Sequence, residues 1–311
     1  MYTIKSVKEG PLKAPKTTSL FARHRRDAKQ PLLSVFLAAW LLASCRTMPQ
    51  APYPPLSDWL PPESSLILRF TVSGNQELAG ALLTLLGFSP ENIEPVLERT
   101  AQFAASMETV DGGINVSTMP VHAVALGLWP RGVLGGVLGR DWKRSAAYEW
   151  QGPEGLSLAA PSNEIILLSR GRLSTLAANR NEGGQSWDKL PPQADFALLM
   201  DDARLIGGMF PPAAGLVNAL SLALNKVEGE GYKIILNFYP SNPELAGAFV
   251  PALRLALAAR FGSSKLEEEK ALLKKVKIEA AEDRVILSLP PVSLALLTSL
   301  AGGLPLFAEQ P

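Results

Sequence analysis

From residue 65 onward the chain alternates between short β-patterned runs and small-residue helical stretches. Residues 65–72 (SLILRFTV) have the β-branched and aliphatic make-up of a strand. Residues 75–88 predict a helix rich in Ala, Gly and Leu. Ser89-Pro90-Glu91 opens the next helix, with a capping serine, proline in the first turn and an acid at the positive end of the dipole. Ile93, Val96, Leu97, Phe103, Ala104 and Met107 follow at helical spacing, so that helix is expected to run through them. Strands are predicted at 113–117 and 122–129, and a short Gly-rich helix at 132–140. Residues 156–169 alternate around Pro161-Ser162-Asn163 as a hairpin does. A helix over 172–179 follows.

The second half repeats this order. Leu60-Pro61-Pro62 and Leu190-Pro191-Pro192 each introduce an apolar strand, the later one at 196–200. A small-residue helix is predicted within 213–224. Residues 232–239 (YKIILNFY) are the strongest strand in the chain. Ser241 with Glu244 forms a capping box for a helix reaching about residue 261, kinked at Pro251. The mixed charges of 265–275 suit a solvated helix. A hairpin over 276–289, turning at Glu282-Asp283, and a helix over 292–300 complete the pattern. Strands, hairpins and helices in this order predict an α+β fold with mixed or antiparallel sheets. The shared order and the paired Leu-Pro-Pro motifs point to internal duplication of a strand–helix–β-hairpin–helix module. The halves are residues 63–185 and 186–311.

The N-terminal region is different. Eight basic residues, from Lys5 to Lys29, face only Glu9 and Asp27. Residues 32–43 are apolar except for Ser34. As a helix this stretch spans about 18 Å at ~1.5 Å per residue, short of the ~30 Å hydrocarbon core of a bilayer. A basic region, a short apolar core and small residues before a cleavage point describe a secretory signal. Leu42-Ala43-Ser44-Cys45 closes it, and Cys45 is the single cysteine of the chain.

That tetrapeptide resembles the lipobox of bacterial lipoproteins, matching an aliphatic residue, two small residues and the cysteine. The resemblance covers about residues 23–45. It implies removal of residues 1–44, diacylglycerol on Cys45 (palmitate among its acyl chains), and anchoring to a membrane of the cell envelope. Arg46 in place of the aspartate that retains enteric lipoproteins at the inner membrane implies the outer membrane, on its periplasmic or surface face. An ordinary cleaved signal and a buried structural helix are the alternatives. The proline-rich segment 45–62 then serves as a tether.

Removing the leader changes the charge. Of 30 Lys+Arg, eight leave with it, and of 29 Asp+Glu, two, so the mature chain carries 22 against 27, about −5. No basic field for nucleic acid remains. A mature chain whose one cysteine is lipidated has no disulfide and no thiol nucleophile.

Candidate chemistry is sparse. His122, the one histidine after the leader, precedes an apolar run and reads as a structural histidine ahead of a catalytic base. Asp201-Asp202 at a strand end could bind metal or act as acid and base, but neighbours on a strand point to opposite faces, and starting a helix at Ala203 is the simpler role. Gly132, Gly135, Gly136 and Gly139 lack the Lys-Ser/Thr of a phosphate loop. Trp129, Trp142, Tyr148 and Trp150 lie near Arg131, Arg140, Lys143 and Arg144. They form a candidate binding face for glycan or anionic lipid, or else a wall of core aromatics. No catalytic constellation, cofactor motif or metal-ligand set emerges. The expected function is a non-enzymatic binding or scaffolding module that meets an envelope protein. The alternatives are a carrier or sensor holding a hydrophobic ligand between the halves, walled by 76–86 and 213–224, and an envelope hydrolase using His122 with Asp201 or Asp202.

Overall fold

The computed structural model describes residues 55–302 except 62–63, 86–89, 109–119, 171–184, 205, 207–214 and 263–266. Cys45, the strand expected at 113–117 and the helix expected at 172–179 lie outside the described residues. The strands are β1 (Leu66–Thr71), β2 (Thr100–Met107), β3 (Val121–Gly127), β4 (Lys143–Ala146), β5 (Glu149–Gln151), β6 (Leu156–Ala159), β7 (Ile165–Arg170), β8 (Phe196–Met200), β9 (Val217–Val227), β10 (Gly231–Pro240), β11 (Lys277–Ala280) and β12 (Val285–Val292). The helices are α1 (Gln76–Leu85), α2 (Pro90–Arg99), α3 (Arg131–Val137), α4 (Gln185–Asp188), α5 (Ala246–Gly262), α6 (Glu267–Lys275) and α7 (Leu294–Gly302).

All twelve strands join one antiparallel sheet, in the order β11-β12-β10-β9-β8-β1-β2-β3-β7-β6-β5-β4. The fold is α+β, as the alternation of hairpins and helices requires. The first half of the chain contributes β1 to β7 and the second β8 to β12, and the two meet where β1 pairs with β8. Leu68 lies directly opposite Leu198, with Leu66 against Met200 and Phe70 against Phe196. Outward from this seam the order is β1-β2-β3-β7-β6 on one side and β8-β9-β10-β12-β11 on the other. Each half therefore places its first three strands side by side and returns its later hairpin with the last strand innermost.

The middle of the sheet is buried on both faces, while the edge strands β4 and β11 are largely exposed, which explains why its inner strands carry small residues as well as large ones. In β9, Leu220 and Leu224 are buried in the helix-covered core, with Leu222 packed against it, whereas Ala219, Ser221 and Ala223 are buried on the other face. This alternation is why residues 217–224 form a strand and not part of the small-residue helix expected at 213–224. The helical face collects Phe70, Phe196 and Phe238 beneath Leu78 of α1, Phe249 and Leu253 of α5, Leu272 of α6 and Leu297 of α7. Each fully buried side chain of this size contributes about 1.5–3 kcal/mol.

Leu56, Trp59 and Leu60 pack on the opposite face against Val124, Leu126 and Leu167. The segment expected to be a tether to residue 62 thus enters the fold by Leu56. The helix expected to continue to Met107 stops at Arg99, where a basic residue meets the negative end of the dipole. Phe103 and Met107 satisfy helical spacing, but Phe103, Ala105 and Met107 equally satisfy period two, and they take the strand. Asn242, not Ser241, caps the helical entry, its Oδ1 accepting from Glu244 N at 3.0 Å. Ser241 Oγ donates to the Leu216 carbonyl at 3.3 Å instead.

Candidate functional site

Trp129, Trp142 and Trp150 are 2%, 9% and 6% exposed, and Tyr148 packs against the cluster they form with Leu134, Leu156 and Leu158. The candidate binding face is therefore a core wall, a correction with a plain cause. Leu134 of α3 is buried in this cluster with the three indoles, and Gly135 lies beside Trp150, where even an added Cβ would make ordinary contact at 3.5 Å. Gly152 is shaped to the Trp142 indole, which an added Cβ would overlap. Only the rim faces water. Arg131 stacks over Tyr148 at 4.3 Å and donates to the Pro161 carbonyl at 2.8 Å, while Arg140, Lys143 and Arg144 are exposed.

His122 is buried, and its Nδ1 meets Ser169 Oγ at 2.9 Å. Register puts Ser169 directly opposite it on β7 and Ser106 directly opposite on β2. The same transverse row continues through Ile67 and Leu199 to Ser221 and Asn237, where Asn237 Nδ2 donates to Ser221 Oγ at 3.0 Å. Burial pushes the His122 imidazole below its usual value, and Glu108 opposes this more weakly. Ser106, Ser169 and Ser221 are fully buried, so the row holds two polar groups inside the sheet, separated by Ile67 and Leu199.

Asp201 and Asp202 serve local structure. Asp201 pairs with Lys189 at 2.9 Å. Asp202 Oδ1 accepts from Arg204 N at 2.8 Å and so caps the turn at Ala203. Three strand spacings, roughly 14 Å, separate β3 from β8, so His122 and the aspartates are not brought together. Among the described residues no group of His, Cys, Asp and Glu is placed to hold a metal ion.

The seam between the halves is a hydrogen-bonded strand pair with packed side chains on both faces, and the described residues form no cleft there. A groove lies instead within the first half, between α1 and α2. It encloses about 450 Å³ and is lined by Gln76, Gly80, Thr84, Ile93, Glu94, Leu97 and Glu98. Gly80 faces Ile93 and Leu97 across the groove, where an added Cβ would make ordinary contacts at 3.9 and 3.6 Å. The floor is apolar, and exposed Glu94 and Glu98, one turn apart, give an acidic rim. The i, i+4 glutamates beside an Ile93–Leu97 stripe were the signal for it in the sequence.

No helix among the described residues is long and apolar enough to cross a membrane. No protein-family model matches the chain, and no curated protein matches it. Among solved structures the chain is similar to TP0453. Against crystal form III the TM-score is 0.54 at 15% identity, covering 81% of this chain and 99% of that one. Against form I the values are 0.52, 16%, 83% and 100%, and against form IV 0.54, 14%, 80% and 97%. At these identities the likeness is one of fold.

Proposed function

We propose that this protein is a lipid-anchored component of a bacterial cell envelope whose α+β module is a non-enzymatic binding or scaffolding platform. The observation that carries the reading is Leu42-Ala43-Ser44-Cys45 behind a basic, apolar leader. Acylation there gives stable attachment, because two or more chains contribute about 0.8 kcal/mol per buried methylene. The module enters its core at Leu56. The ten residues from Cys45 to there reach at most about 35 Å when extended, so the module sits close to the membrane, by this reading the outer one. The matched strand orders on the two sides of β1·β8 support a duplicated module, which presents its helices on one face of a broad sheet.

The test is intact mass and membrane partitioning of the full chain expressed in a bacterial host, beside Cys45→Ala. Wild type is expected to start at an acylated Cys45 and to sediment with membranes, while the variant does neither. Unmodified, soluble wild type refutes the anchor.

A further inference from the structure

We infer that the α1/α2 groove is a docking site for a second copy of this chain, which inserts Leu255 of its α5. The inference deepens the scaffolding reading above. Leu255 is 73% exposed, far beyond the next large apolar side chains among the described residues, Leu245 at 39% and Leu216 at 38%. It stands on a helix whose inner face, Phe249, Leu253 and Leu257, is spent on the core. The outer face around it is built of small residues, Gly247, Ala248, Ala258 and Ala259, so a neighbouring surface can approach the α5 backbone closely. Exposed Arg254 flanks the projecting leucine.

The groove offers the complement. Its Gly80–Ile93–Leu97 floor suits an aliphatic side chain, and Glu94 and Glu98 at its rim suit a guanidinium. Among the described residues no ion pair engages Arg254, Glu94 or Glu98. One molecule cannot satisfy both sides. α2 packs on β2 and α5 on β11 and β12, and five strand spacings, roughly 24 Å, separate β12 from β2. The contact is therefore between copies, one molecule's α5 in another's groove, either reciprocated about a two-fold or repeated along a row. A single knob in a groove this size belongs to the small, weak class of interfaces. Confinement to a membrane raises the effective concentration that such a contact needs.

Cross-linking in membranes of the expressing host tests this. The exposed positions Leu255→Cys and Thr84→Cys are introduced singly and together into the full chain, and a short bismaleimide is applied with wild type as control. The double variant is expected to give cross-linked species, stopping at dimer for a reciprocal contact and extending to a ladder for a repeating one. Each single variant gives none, and co-expressed singles give a dimer that stops there. Arg254→Glu should lower the yield roughly threefold or more, and Glu94→Arg with Glu98→Arg in the same chain should restore it. A dimer from Leu255→Cys alone overturns the inference in favour of a symmetric α5 contact. Absence of any cross-link in the double variant overturns it outright, as does labelling of Leu255→Cys by a lipid-phase probe instead. The anchor is scored separately, with the cross-linking repeated on a Cys45→Ala background so that no thiol but the introduced ones reacts: cross-linked species in the soluble fraction there keep this inference while the anchor fails.

Discussion

Gly127 closes β3 against the chain leaving α2, and replacing it with alanine is expected to be among the most damaging small changes in the molecule. An added Cβ would overlap the Arg99 carbonyl oxygen, and would lie 2.8 Å from its carbon and 3.0 Å from Thr100 Cα. The obstacles are backbone atoms, so no rotamer change relieves them. The chain must separate at a point where Leu128 N donates to Arg99 O at 2.9 Å and Gly127 N to Glu164 O at 2.8 Å. Losing or stretching two such bonds costs about 1 kcal/mol each, and the overpacking about 1–3 kcal/mol more. The sum, roughly 3–5 kcal/mol, corresponds to a fall in Tm of about 6–20 °C for a domain of this size. Gly132→Ala is the matched control. It lies in α3 with nothing within 4 Å of the new methyl, and helix propensity alone predicts a gain of about 0.5–1 kcal/mol. Urea unfolding of both variants, read as a shift in midpoint at constant m-value, decides the matter. Gly127→Ala within 1 kcal/mol of wild type would refute the account of this junction.

Two further outcomes follow from buried charge. Because burial lowers the His122 pKa in the folded state, the native protein binds fewer protons than the unfolded chain just below pH 6.5. Stability is thus full above that value and falls as pH drops, by at most about 1.4 kcal/mol per pH unit. His122→Gln should flatten urea midpoints measured between pH 5 and 6.5, and an unchanged slope would count against the burial argument. Arg99 is 7% exposed, its terminal nitrogens make no hydrogen bond, and desolvation lowers its pKa against the weaker opposing charge of Glu98. Arg99→Met is therefore expected to be neutral or to stabilise by about 1–3 kcal/mol in thermal unfolding, whereas a loss above 1 kcal/mol would mean that Glu98 and the helix dipole outweigh desolvation.

Most of the strand set was legible because 66–71 and 165–170 are short, largely aliphatic runs, alternation survives in 232–238, and the turns at Pro161-Ser162-Asn163 and Glu282-Asp283 carry their own chemistry. Two segments misled for opposite reasons. Residues 103–107 fit both periods, and only the pairing of β2 between β1 and β3 selects the strand. Residues 217–224 alternate large with small instead of apolar with polar, since both faces of β9 are covered, and so imitate a small-residue helix. The tryptophans were visible, but their side was not. Burial of Trp142 depends on Gly152, ten residues on, and on α3, whose Leu134 is buried in the same cluster. The groove has half its signal in the sequence, Glu94 and Glu98 beside Ile93 and Leu97, while the wall supplied by α1 is set by tertiary packing. His122 and Asp201 could be separated only by the order of strands in the sheet.

The β1·β8 seam also governs how this chain reaches its native state. Its partners are 126 to 134 residues apart in sequence, so β1 spends synthesis with one edge open until β8 arrives. Leu66, Ile67, Leu68 and Phe70 on that edge make a strongly associating strand. Closing so long a loop before any contact rewards it is slow. The first half can assemble β2, β3, β7 and β6 around β1 beforehand, which leaves a half-sheet with a single unpaired margin waiting for its complement. Another molecule's β8 would fit that margin equally well, and domain-swapped dimers are accordingly the expected misfolding product when the chain is refolded at high concentration.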